Sequence, residues 1–143
     1  MRFSNYLPDD GYTENGYIEA IAGLHAEMRF RYRPLLAEQR GQIMRQLEGL
    51  KEEEQVVRIA PILARQLQEW DLRLPDGSPV AIRESSVRRL RPAVFYRLWG
   101  IVTGTVPSDL DPRWSDDEKQ SAVELLLEAG PVGDARERRN EKN

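Results

Sequence analysis

The chain has 143 residues, 40% of them hydrophobic and 31% charged, enough for one domain that buries its own core without metal or disulfide help. It contains no cysteine, which excludes disulfides, thiolate metal sites and cysteine nucleophiles. A net charge of −3 argues against generic affinity for nucleic acid, which normally accompanies a clearly basic domain.

Residues 1–16 hold Pro8, Asp9, Asp10, Gly11, Asn15 and Gly16 and read as a turn-rich lead. Met1–Asp10 lacks the apolar centre of a signal peptide, and no apolar run approaches the roughly 20 residues that span a bilayer. A cytoplasmic protein with no membrane partner is expected. Tyr17–Ile21 reads as a strand and Ala22-Gly23 as a turn. The cleanest alternation follows, with Ala26, Met28, Phe30 and Tyr32 on one face and Glu27, Arg29, Arg31 and Arg33 on the other. Period two assigns the first set to a core and the arginines to solvent or a partner. Pro34 ends that strand.

From Leu35 to about Gly49 the period becomes helical, through Leu36, Ile43, Leu47 and Leu50. A second helix is expected over Glu53–Trp70 on the stripe Val56, Ile59, Leu63, Leu67 and Trp70, kinked or restarted at Pro61. Asp76-Gly77 then marks a turn between short apolar segments, a second small hairpin near Leu72–Ile82. Ser85 or Ser86 can cap a third helix carrying Val87, Leu90, Val94, Leu98 and Ile101, with Gly104 as its stop. Pro92 leaves two forms open: two helices, Ser86–Leu90 and Pro92–Val102, or one bent helix. Val106–Pro112 reads as a loop. Ser115-Asp116-Asp117-Glu118 is a capping box opening a last helix to about Ala129, stopped by Gly130-Pro131. The expected fold class is α+β: a mainly helical single domain over residues 1–131 with an N-terminal hairpin, then a charged, disordered tail over residues 132–143.

Little in this pattern carries chemistry. His25 is the only histidine, and nothing near it suggests the nucleophile or carboxylate partner that a catalytic set needs. Asp109, Asp111, Asp116, Asp117 and Glu118 form an acidic run, but without the spacing of a calcium loop, and the last three suit a helix N-terminus. No phosphate-cradling glycine loop and no nucleophile elbow occur. The expectation is a non-enzyme without cofactor or metal.

Surfaces remain. The basic residues are 18 arginines against only Lys51, Lys119 and Lys142, which reads either as interface recognition or as the codon bias of a GC-rich genome. Arg29, Arg31 and Arg33 offer one basic face, whose bland reading is a charged edge strand that resists aggregation. Arg83, Arg88, Arg89, Arg91 and Arg97 offer a second, opposed only by Glu84. Phe95 and Trp99, four apart, widen the apolar side of their helix and read either as core or as a protein contact, possible homo-oligomerisation included. The candidate partner-binding residues are Arg29, Arg31, Arg33, Arg88, Arg91, Phe95 and Trp99.

Trp70-Asp71-Leu72, Asp76-Gly77, Pro79-Val80 and the helical segment with Leu90, Pro92, Val94 and Phe95 resemble the tail assembly chaperones of long-tailed phages and prophages. Phe30–Leu35 and Pro107–Pro112 are similar to such proteins too, so the resemblance spans about Phe30–Pro112. The arginine-dense strand and the last capped helix have no counterpart in that pattern. The resemblance implies a non-catalytic accessory of virion morphogenesis in a bacterial cell or infected host. It would bind the tape-measure protein, keep its apolar helices soluble and help recruit tail-tube subunits. A nucleic-acid-binding accessory using the arginine faces is the alternative, and a carboxylate-metal enzyme on Asp109, Asp111 and Asp116 a third.

Overall fold

The computed structural model describes residues 11–120, 122 and 123. They fall into two compact units, the first ending at Asp109 and the second beginning at Leu110; the domain expected over residues 1–131 runs across that boundary. The first unit contains β1 (Glu14–Ile18), β2 (Met28–Tyr32), α1 (Ala37–Leu47), α2 (Glu52–Gln66), β3 (Leu67–Trp70), α3 (Glu84–Arg88) and α4 (Pro92–Val102). The architecture is α+β, with one antiparallel sheet in the order β1-β2-β3.

The hairpin forms where the alternation lies, but β1 starts upstream of the expected Tyr17–Ile21 strand and takes in Glu14, Asn15 and Gly16 from the turn-rich lead. Gly16 is the reason that register works. It faces Phe30 across the ladder, and a Cβ there would collide with the Phe30 ring. The aromatic ring covers the bare glycine backbone, which offsets the glycine's weak strand propensity. Met28, Phe30 and Tyr32 are buried as the period requires, whereas Ala26 precedes the strand and is exposed. Gly23, with a φ of 78°, lets the chain turn between Ile21 and His25.

Sequence and structure part at Trp70. The helix expected to reach it ends at Gln66, and Leu67–Trp70 pairs with β2 instead. Leu67 and Trp70 are three apart, a helical spacing that in a regular strand would send them to opposite faces. A bulge in the β2–β3 register absorbs one extra residue, so Leu67 lies opposite Tyr32 and Trp70 opposite Phe30, both on the core side. Asp71 locks the end of the ladder: its N–H donates to the Arg29 carbonyl (3.1 Å), and its carboxylate accepts from the Arg29 N–H (3.0 Å). α2 runs through Pro61 as one helix rather than restarting there.

The expected second hairpin near Leu72–Ile82 is a turn with a single bridge, Arg73 to Pro79, rather than a pair of strands. Gly77 takes a φ of 89°, and the Asp76 carboxylate accepts from the Ser78 N–H (2.9 Å) and hydroxyl (2.6 Å). Of the two forms Pro92 left open, the chain adopts two helices. Ser86 does not cap from the N-cap position, which Arg83 occupies. It sits three residues in, and its hydroxyl accepts from the Arg83 N–H. Gly104, with a φ of 76°, follows the end of α4 as expected.

One core joins these elements: Ile18, Met28, Phe30 and Tyr32 from the sheet, Ile59, Leu63 and Leu67 from α2 and β3, Val87 from α3, and Val94, Phe95, Leu98 and Ile101 from α4. In the second unit the capping box forms in both directions, Ser115 N–H to Glu118 (3.0 Å) and Glu118 N–H to the Ser115 hydroxyl (3.1 Å). The remainder of the last helix to Ala129, its Gly130-Pro131 stop, the tail over 132–143 and residues 1–10 of the lead lie outside the described residues.

Candidate protein-binding surface

The first basic face is not an edge. β2 is the central strand of the sheet, so the reading of Arg29, Arg31 and Arg33 as guards of an edge strand does not apply. Arg29 pairs with Glu27 at 2.7 Å and lies over the Tyr17 ring, 5.0 Å from its centroid. Tyr17 in turn donates its hydroxyl to Glu27 (2.6 Å). Arg31 pairs with Glu69 on β3. Only Arg33, just past the strand, is exposed without a carboxylate partner among the described residues. Two of these three guanidiniums are thus engaged in cross-strand contacts, which stabilise a sheet face modestly.

The second basic group is more available. Arg97 leaves it, because its guanidinium donates to Asp109 (2.9 Å) and to the Pro107 carbonyl (2.9 Å). Asp109 also accepts from the Glu19 N–H (3.0 Å), so this carboxylate anchors the loop beside β1 and belongs to the scaffold. Arg83, Arg88, Arg89 and Arg91 are exposed around α3 and the start of α4, with no ion pair among the described residues.

Phe95 and Trp99 separate. Phe95 is 3% exposed inside the core, and Trp99 is half-buried against it. Phe95 therefore adds no exposed surface, and of the pair only Trp99 borders one. The outward side of α4 is formed by Pro92, Ala93, Tyr96 and Gly100, which share one face at helical spacing and carry no charged side chain. Val106 folds back onto this face. Its N–H donates to the Gly100 carbonyl (3.1 Å), and its Cγ2 would lie 2.6 Å from a Cβ at position 100. Tyr96 and Val106 keep 36% and 39% of their surface exposed.

Sequence reasoning grouped Tyr96 with Phe95 and Trp99 but missed Ala93 and Val106, although a signal was present. Pro92–Val102 has one charged residue in eleven, Arg97, and a helix that is apolar all round is normally covered on every side. Tyr96 is also electrostatically placed. Its hydroxyl donates to Glu52 (2.6 Å), and ionising it beside that carboxylate is unfavourable, so its pKa is pushed up to about 12. Glu52, Glu53 and Glu54 occupy the first turn of α2, where the helix dipole favours them.

His25, half-buried in the β1–β2 turn, donates from Nδ1 to the Ala26 carbonyl (2.9 Å). Asp111 accepts from the Arg113 N–H (2.9 Å), and Glu118 is spent on its cap. Among the described residues no group of three or more His, Asp or Glu side chains is placed to hold a metal ion, and no helix is long and apolar enough to cross a membrane. Comparison with protein-family models, curated proteins and solved structures finds no match to this chain.

Proposed function

We propose that the chain is a non-catalytic chaperone or scaffold of phage tail assembly. It acts in the cytoplasm of the bacterial cell and binds tape-measure and tail-tube proteins. The reading starts from the sequence resemblance, and one observation supports it: the residues that carry the resemblance form a continuous piece of architecture. Trp70 ends β3 and donates from its indole nitrogen to the Val80 carbonyl (2.6 Å), which closes the Asp76-Gly77 turn onto the sheet. Leu90, Val94 and Phe95 then enter the same core as Trp70. The uncharged outer face of α4 supplies apolar surface of the kind that binding amphipathic helices requires.

Co-expression with the tape-measure protein encoded beside this gene tests the proposal. The expected result is a soluble complex and an insoluble tape measure when this chain is omitted. A gene neighbourhood without tail genes, or a tape measure whose solubility ignores this chain, contradicts it. The nucleic-acid reading draws on Arg83, Arg88, Arg89 and Arg91, exposed and without an ion pair among the described residues. It predicts retention on DNA that falls steeply with salt as phosphate contacts release counterions.

A further inference from the structure

The outer face of α4 is apolar along its length and basic at its beginning, and that combination selects a partner. Pro92, Ala93, Tyr96 and Gly100, extended by Val106, form the apolar strip. Arg91 is the N-cap of the helix, and Arg88 and Arg89 end the preceding helix one short turn away. These three guanidiniums have no carboxylate partner among the described residues, whereas Arg29, Arg31 and Arg97 are all paired. Between residues 83 and 97 five arginines face one glutamate, in a chain whose net charge is −3. The positive charge is concentrated where the strip begins.

We propose that this face seats an amphipathic α-helix whose apolar stripe is flanked by carboxylates, with those carboxylates against Arg88, Arg89 and Arg91. Leucine-like side chains would cover Ala93, Tyr96 and Val106, which lies over Gly100. Arginine matches carboxylates in a planar, two-pronged geometry. A nucleic-acid strand fits less well. Its phosphates would meet the arginines, but about five residues and 7.5 Å further along the axis they would reach Tyr96, whose hydroxyl is held by the Glu52 carboxylate. A uniform polyanion is repelled there, whereas a helix can set its carboxylates at the arginine end and apolar side chains against Tyr96. The inference does not depend on the tail-assembly reading. A tape-measure protein bound elsewhere on this chain would leave that reading standing, and peptides that ignore this face would sink this inference alone.

The test uses the full chain and two labelled helical peptides with the same leucine stripe, one flanked by glutamates and the other by lysines, together with single-stranded DNA as competitor. The glutamate peptide is expected to bind at least about tenfold more tightly than the lysine peptide, the difference that rim charges of this number produce. Reversing the rim in the triple variant Arg88→Glu, Arg89→Glu, Arg91→Glu should remove that preference. Ala93→Glu, an exposed helical position, should weaken both peptides about tenfold with an unchanged thermal melt. No binding of the glutamate peptide overturns the proposal, as does equal affinity for both peptides or indifference to Ala93→Glu. Binding of DNA that displaces the peptide and tracks the same arginines would assign the face to nucleic acid instead.

Discussion

Individual residues carry more of this fold than their types suggest. Gly16 is unremarkable as a strand residue until Phe30 is placed over it. Gly16→Ala forces that ring off its site and should destabilise the first unit by about 1–3 kcal/mol in urea unfolding, the usual cost of overpacking. Tyr96 gives a pH signature. Its folded pKa of about 12 lies above the ordinary 10.0, so the unfolded chain releases the proton first. Stability from this group is complete below pH 10.0 and is lost as pH rises toward 12. Tyr96→Phe should flatten that part of the stability profile, and absorbance titration should show one tyrosine ionising late. Asp76 works in the opposite sense. The Ser78 hydroxyl and N–H hold its carboxylate below 3.8, so its contribution is present at neutral pH and fades as the solution is acidified past that value.

At the level of elements, the β2 alternation was legible because Met28, Phe30 and Tyr32 keep a strict period of two against charged neighbours. β3 was not legible, because its two core residues, Leu67 and Trp70, sit at a helical spacing and only a bulge brings them to one face. This yields a discriminating experiment. Deleting Gln68 leaves Leu67 and Trp70 two apart, the natural spacing of a regular strand on one face. The deletion should therefore cost less than Trp70→Ala, which is expected to lose about 3 kcal/mol. Were residues 67–70 helical, the same deletion would rotate Trp70 about 100° off the core and cost at least as much. The candidate surface was half legible for a related reason. Spacing along one helix groups Phe95 with Trp99, but only packing against the sheet and α2 decides which of them is inside. The exposed arginines at 88 and 91 were readable from sequence, and the pairing of Arg29 with Glu27 and of Arg31 with Glu69 was not, since Glu69 lies on a strand the periodicity had made a helix.

Taken whole, the described chain is a packed scaffold in which several polar side chains are committed to structure. Carboxylates cap helices, lock β3 or anchor the loop beside β1, and the sheet arginines stay within the sheet. One side of α4 combines an uncharged strip with arginines at its start that have no carboxylate partner among the described residues. A molecule arranged this way is suited to holding another protein's helix, and the proposed role in tail assembly would give that helix an identity. Hydrogen exchange on the complex with the tape-measure protein tests this most directly. The account predicts new protection concentrated on Arg88–Gly100, with the β1–β2 hairpin unchanged. Protection centred on Arg29–Arg33 with α4 exchanging as in the isolated chain would contradict it.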